Sequence, residues 1–134
     1  MTREIKFRAW DKVNNKMMFP STIGFGNVNN RVVVMASLEI DENTMALNND
    51  GLRFKDDFEL MQYTGLKDKN GKEVYEGDIL KSDLDEVMID TVEWDADGVS
   101  FHLKNVSTGF SQLRIEDWEW EVIGNIYENP ELLK

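Results

Sequence analysis

The stretch Tyr63-Thr-Gly-Leu-Lys-Asp-Lys-Asn-Gly-Lys-Glu-Val-Tyr-Glu-Gly-Asp78, followed by Ile79 and Leu80, decides how this chain reads. Asn70-Gly71 is the preferred pair for a two-residue type I′ turn, because both central positions need φ above zero and these residues resist that least. Gly77 frees the backbone just before the apolar pair Ile79-Leu80. The stretch predicts a β-hairpin that leads into the first strand of a small barrel.

Strand signals continue on the C-terminal side. After an acidic loop, Ser82 to Glu86, the segment Val87–Trp94 reads as a strand, turned by Asp95-Ala-Asp-Gly98. Val99, Phe101 and Leu103 alternate with Ser100, His102 and Lys104, which predicts a returning strand with His102 toward solvent. Thr108-Gly109 allows a further turn into Phe110–Ile115, and Trp118, Trp120 and Val122 share one face opposite Glu119 and Glu121. Asn129 is placed to cap a short helical turn, with Pro130 at its first position and Glu131 in its first turn. Five short strands at this spacing suggest a small closed or half-closed barrel.

Upstream, Ile5, Phe7 and Ala9 alternate with Lys6, Arg8 and Trp10, and Met17-Met-Phe19 returns after the turn-rich Asp11–Lys16. That is a first hairpin, ended by Pro20. Val32-Val-Val-Met35 is a β-branched run expected to form a buried strand. Apolar residues between Leu38 and Asp57, interrupted by Asn48-Asn-Asp-Gly51, suggest a weak hairpin. Asp56–Gln62 fits either a capped helical turn or the start of a strand. The residues alone give a mostly β chain: a first β-hairpin and further strand segments up to about residue 62, then a small closed or half-closed barrel with a short C-terminal helical turn.

Composition narrows the function classes. With 134 residues and 41% hydrophobic content, the chain can bury a core without a metal or disulfide. It has no cysteine, which removes disulfides, zinc-thiolate sites and cysteine nucleophiles together. The charged start lacks the apolar core of a signal peptide, and apolar runs of about five residues are far short of a bilayer span. The expectation is a soluble, cytoplasmic protein, away from membranes. The net charge of −11 is unevenly placed: residues 76–134 carry 15 acidic and 4 basic side chains, whereas residues 1–75 carry 11 of each. Nucleic acid is disfavoured as a partner, because its binding rests on cationic contacts.

Three blocks carry a family resemblance: Arg3–Lys12, Met61–Asp78 and Val122–Leu133. In their order and spacing they resemble the YopX-like proteins of phages and prophages over essentially the full length. The resemblance implies an N-terminal β-hairpin subdomain with a variable connection over residues 1–62, a C-terminal SH3-like barrel over 63–134, and a phage or prophage origin in a bacterial host. It implies no established activity and no catalytic residues.

Sites of chemistry are sparse. His102 is the single histidine, and without a cysteine or a paired serine it reads as a surface residue. The loop residues Asp83, Asp85 and Glu86 with Asp90 offer oxygens, but a flexible loop holds a hard cation's six or more ligands poorly. Glu93–Gly98 resembles the start of an EF-hand loop, yet its twelfth position is Lys104, where a bidentate glutamate belongs. No glycine loop cradles a phosphate. No catalytic, cofactor or metal residue is assigned, and the protein is expected not to be an enzyme. Of the four tryptophans, Trp94, Trp118 and Trp120 are read mainly as core, and Trp10, opposite Ile5, Phe7 and Ala9, as an interface residue. The candidate interaction residues are Trp10, Arg8, Tyr63, Tyr75, Asp83, Asp85 and Glu86. They point to a module that binds a host or phage protein, or assembles with itself as a homo-oligomer. Two alternatives from other classes are an acidic DNA mimic that inhibits a host nucleic-acid enzyme, and a hydrolase using paired carboxylates.

Overall fold

The structure is a computed structural model describing residues 4–20, 22–28, 31–37, 40–41, 46–47, 52–54, 57–82, 86–109, 111–112 and 120–134. It is mostly β and antiparallel, with a short 3₁₀ turn at Pro130–Leu133 and a 3₁₀ residue at Asp57 among the described residues. The chain divides into two compact units, one of Phe7–Met61 and one of residues 1–6 with Gln62–Lys134.

In the Phe7–Met61 unit, β1 (Phe7–Asp11) pairs antiparallel with β2 (Lys16–Met18) in the register Trp10 to Met17. Asp11 makes the turn, its Oδ1 accepting the Val13 and Asn14 amides, while Asn15 takes the left-handed backbone at φ 54°. A second sheet runs β3 (Thr22–Val28), β4 (Arg31–Ser37) and β7 (Leu52–Phe54), with β4 central. Between them β5 (Ile40–Asp41) pairs with β6 (Ala46–Leu47). The hairpin expected around Asn48–Gly51 is therefore corrected: Leu52–Phe54 pairs with β4, not with its sequence neighbour β6, and residues 48–51 lie outside the described part. Of the ambiguous segment before Gln62, Asp56 lies outside the described residues, Asp57 is 3₁₀, and from Phe58 the chain is strand, since β8 spans Phe58–Lys67, and Phe58 packs with Ala9, Met18 and Leu60.

The Gln62–Lys134 unit is built on the deciding hairpin. Its arms are the later part of β8 and β9 (Glu73–Tyr75), paired from Tyr63 to Tyr75 and from Lys67 to Glu73. The turn differs from the type I′ expectation. Asn70 keeps a negative φ and only Gly71 is left-handed, at φ 83°. The Gly71 amide donates to the Asp68 carbonyl at 3.0 Å and the Asp68 amide to the Lys72 carbonyl at 2.8 Å. That is a type I turn followed by a left-handed glycine, the usual three-residue alternative.

The cause lies in Asp68, a buried side chain of 5% exposure. Its Oδ1 accepts the amides of Asn70 and Lys72, both at 2.9 Å, and its Oδ2 accepts the amide of Val122 at 2.9 Å. Burial alone would raise this carboxyl, but the three amides outweigh it and hold it below the ordinary aspartate range.

The hairpin feeds a five-stranded antiparallel sheet of order β13-β12-β11-β10-β14, curled into a half-barrel. Its strands are β10 (Asp78–Ser82), β11 (Met88–Asp95), β12 (Ser100–Asn105), β13 (Ser111–Gln112) and β14 (Glu121–Asn125). Gly77, at φ 86°, turns the chain into β10, and the Tyr75 amide donates to Asp78 Oδ2 at 2.8 Å. The core is Val74, Leu80, Val92, Leu103, Trp120 and Val122, with Met88 and Phe101 packed against it. Burying such side chains contributes about 1.5–3 kcal/mol each, so these six account for much of the unit's cohesion.

The outer edge of β14 is closed by loops. The Lys69 amide donates to the Trp120 carbonyl at 3.0 Å, and Asp68 takes the Val122 amide, so the hairpin turn covers this edge. At the other end Asn125 Oδ1 accepts the Tyr127 and Glu128 amides. Asn129 does not cap the 3₁₀ turn as the sequence suggests. Its Oδ1 reaches back to the Asn125 amide at 3.2 Å, over Gly124, where a Cβ would lie 2.5 Å from that oxygen. The Gly-Asn-Ile-Tyr-Glu-Asn-Pro block is thus a folded-back lock on the sheet edge.

Candidate functional site

The β11–β12 ribbon presents the site. Its register sets Asp90 against Asn105, Val92 against Leu103 and Trp94 against Phe101. Because side chains alternate, Asp90, Val92 and Trp94 share one face with their three partners. Val92 and Leu103 lie in the core, but the ribbon continues past it, leaving Trp94 48% exposed. Phe101 fixes the indole from one side, edge to face, with ring centroids 5.1 Å apart and planes at 71°. Val99, in the connecting turn, is 72% exposed and left-handed at φ 51°. That conformation is strained for a β-branched residue.

The opposite face of the ribbon corrects the solvent placement of His102. The imidazole is buried, at 8% exposure, because the turn folds over it. Nε2 sits 3.0 Å from Ser100 Oγ and 3.3 Å from Asp95 Oδ2, and a Cβ at Gly98 would come within 3.2 Å of it. Serine and aspartate meet the same ring nitrogen, whereas a relay needs one on each. The cluster serves to shape the turn, with the Asp97 amide donating to Asp95 Oδ1 at 3.1 Å.

Deeper along the ribbon, Asp90 is fully buried and accepts from Asn105 Nδ2 at 2.9 Å. Burial raises its carboxyl above the ordinary range, and the Asn105 bond offsets this only in part. Asn105 Oδ1 in turn accepts the Ser107 and Thr108 amides that begin the following turn. A cleft of about 340 Å³ lies beside this pair, lined among others by Thr91, Glu93, Lys104, Val106, Ile126 and Leu133.

The residues singled out from sequence fall in separate places. Tyr63 and Tyr75 are buried and meet at 5.4 Å between centroids, with Lys6 Nζ 5.7 Å from the Tyr63 ring. Lys6 also bonds Glu73 and Glu4, and the Tyr75 hydroxyl donates to Glu73 at 3.1 Å. These contacts raise Lys6 and lower Glu73, while burial raises Tyr63. Arg8 is buried within β1, at 8% exposure, and Trp10 is half-buried there. Glu86 is exposed ahead of β11, while Asp83, Asp85 and Trp118 lie outside the described residues. Trp94 was one of four tryptophans with no reason in sequence to set it apart, since it shares the face of Val92. Only the end of β10 at Asp78 reveals it. Among the described residues no group of three or more histidine or acidic side chains is arranged to hold a metal, and no helix is long and apolar enough to cross a membrane.

The fold is a mostly β chain with a curled five-stranded half-barrel. The chain is a member of the YopX family, whose model, described as YopX protein, matches residues 6–134. It is similar to protein EF1440 from Enterococcus faecalis, at 27% identity over 99% of this chain and 100% of that one, with a TM-score of 0.64. It is also similar to protein yopX from Bacillus subtilis, at 25% identity over 96% and 98% of the two chains, with a TM-score of 0.58. A comparison with curated proteins gives no match.

Proposed function

We propose that this YopX-family chain is a phage- or prophage-encoded, non-enzymatic module that binds another protein in the bacterial cytoplasm. The observation that carries the reading is Trp94, a half-exposed indole packed edge to face on Phe101 at the end of the β11–β12 ribbon. Tryptophan is among the residues most enriched at binding hot spots, and its removal there costs about 2 kcal/mol or more, roughly thirtyfold in Kd. Exposed Val99 extends the apolar surface at the turn.

The test is capture of partners by tagged protein from phage-carrying cells, with mass spectrometry of the eluate and light scattering of the pure chain. A stoichiometric partner retained by wild type and lost with Trp94→Ala supports the reading. Retention of the same partner by both proteins removes Trp94 from it, and an eluate holding only the bait argues against a binding role.

A further inference from the structure

Side chains and backbone at the Trp94 end of β11 together describe a ligand. β10 pairs with β11 from Met88 to Thr91, and its last link is the Gly77 amide donating to the Val92 carbonyl at 2.9 Å. On the side away from β12, no described strand pairs with Glu93–Asp95. Backbone groups alternate sides along a strand. Since the Val92 carbonyl points toward β10, the amide and carbonyl of Trp94 point the same way, to the open edge. The outer edge of β14 in this sheet is closed by Asp68 and Lys69, whereas among the described residues no strand pairs with Glu93–Asp95 on the β10 side.

The side chains around that edge are of two kinds. Trp94 occupies one face, with Phe101 behind it. Glu93 and Asp95 flank it on the other face, and exposed Asp97 follows in the turn. No basic residue occurs between Glu86 and Val99. An added strand places successive side chains on alternate faces, so an occupant would meet indole and carboxylates in turn.

We infer that the Glu93–Asp95 edge of β11 accepts an extended basic segment of a partner protein, with an apolar residue on Trp94 between lysines or arginines facing Glu93 and Asp95. This rests on the binding role proposed above and names the partner's chemistry. Main-chain bonds to Trp94 supply affinity, while the alternation of charge and apolar side chains supplies specificity. Charge complementarity adds a salt-sensitive rise in association rate.

The test uses the full chain and an eight-residue synthetic peptide in which lysine alternates with valine and threonine. Amide chemical shifts are followed by NMR and affinities by calorimetry. Two control peptides are used: one with every lysine replaced by glutamate, and one of the same composition with its four lysines in a block. The alternating peptide is expected to shift the amides of Glu93–Asp95 and to bind at least tenfold more tightly than either control. Trp94→Ala and Glu93→Lys each weaken it at least tenfold, and N-methylation of the peptide residue opposite Trp94 does the same. Equal binding of the acidic or blocked peptide, or shifts centred elsewhere, overturns the inference, as does no binding at all. A dimer of the chain itself that Trp94→Ala dissolves would assign this edge to a second copy and overturn it too. In each case cell capture decides the binding role separately.

Discussion

Replacing Asp68 with alanine probes the contact that joins the deciding hairpin to the C-terminal strand. The substitution removes acceptors from three amides at once: Asn70, Lys72 and Val122, each at 2.9 Å. A hydrogen bond to a charged group contributes about 1.5–3 kcal/mol, and the loss is full where water cannot replace it. The Val122 amide is buried in the sheet, so it accounts for about 1.5 kcal/mol. The two loop amides can turn to water after truncation, and about 0.5–1 kcal/mol each is reasonable for them. The sum is about 3 kcal/mol, a large share of the roughly 5–15 kcal/mol that holds a domain folded. Asp68→Asn keeps an oxygen but turns an NH₂ toward at least one N–H, so about half of that loss is expected. Urea unfolding at pH 7 gives the totals, and hydrogen exchange at the Val122 amide gives the local effect. A loss under about 1 kcal/mol for Asp68→Ala, with Val122 still protected, would refute the reasoning.

Other expectations follow from single observations. Gly124→Ala sets a Cβ 2.5 Å from Asn129 Oδ1 and 2.7 Å from its Cγ, so the lock must open, at about 1–3 kcal/mol in urea unfolding. Val99→Asn relieves a left-handed β-branched residue at an exposed site and should raise stability by up to about 1 kcal/mol, read as a higher urea midpoint. The carboxyls of Asp68 and Asp90 should titrate on opposite sides of the ordinary aspartate pKa in a carbon-detected NMR titration. Asp68, depressed by folding, stabilises above its unfolded pKa of about 3.9 and loses that contribution as pH falls below it. Asp90, raised by folding, contributes below that value and loses its contribution as pH rises through its folded pKa. Midpoints in the reverse order would contradict both assignments.

Much of the fold was legible because local chemistry and tertiary structure agree. Asn70-Gly71 and Asp95–Gly98 turn the chain where their composition says, and the alternation of β12 matches its pairing with β11. The misses share a cause: a partner distant in sequence. The type of the 68–72 turn depends on Val122, 54 residues beyond Asp68, and no window around Asn70 contains it. The pairing of Leu52–Phe54 with β4 skips an intervening ribbon that local turn signals favour. Alternation puts His102 on the side of its strand away from the core, yet it does not say what covers a face, and here the Asp95–Gly98 turn does. Trp94 was hidden by the same limit in reverse, since its face is buried at Val92 and open two residues later.

The measurement that tests the binding role most directly is photo-crosslinking in phage-carrying cells. A photoreactive phenylalanine analogue is placed at position 94, and at 104 on the opposite face of the ribbon as a control. One discrete protein adduct is expected from position 94 and none of that size from 104. The same adducts from both positions, or none from 94, would contradict it.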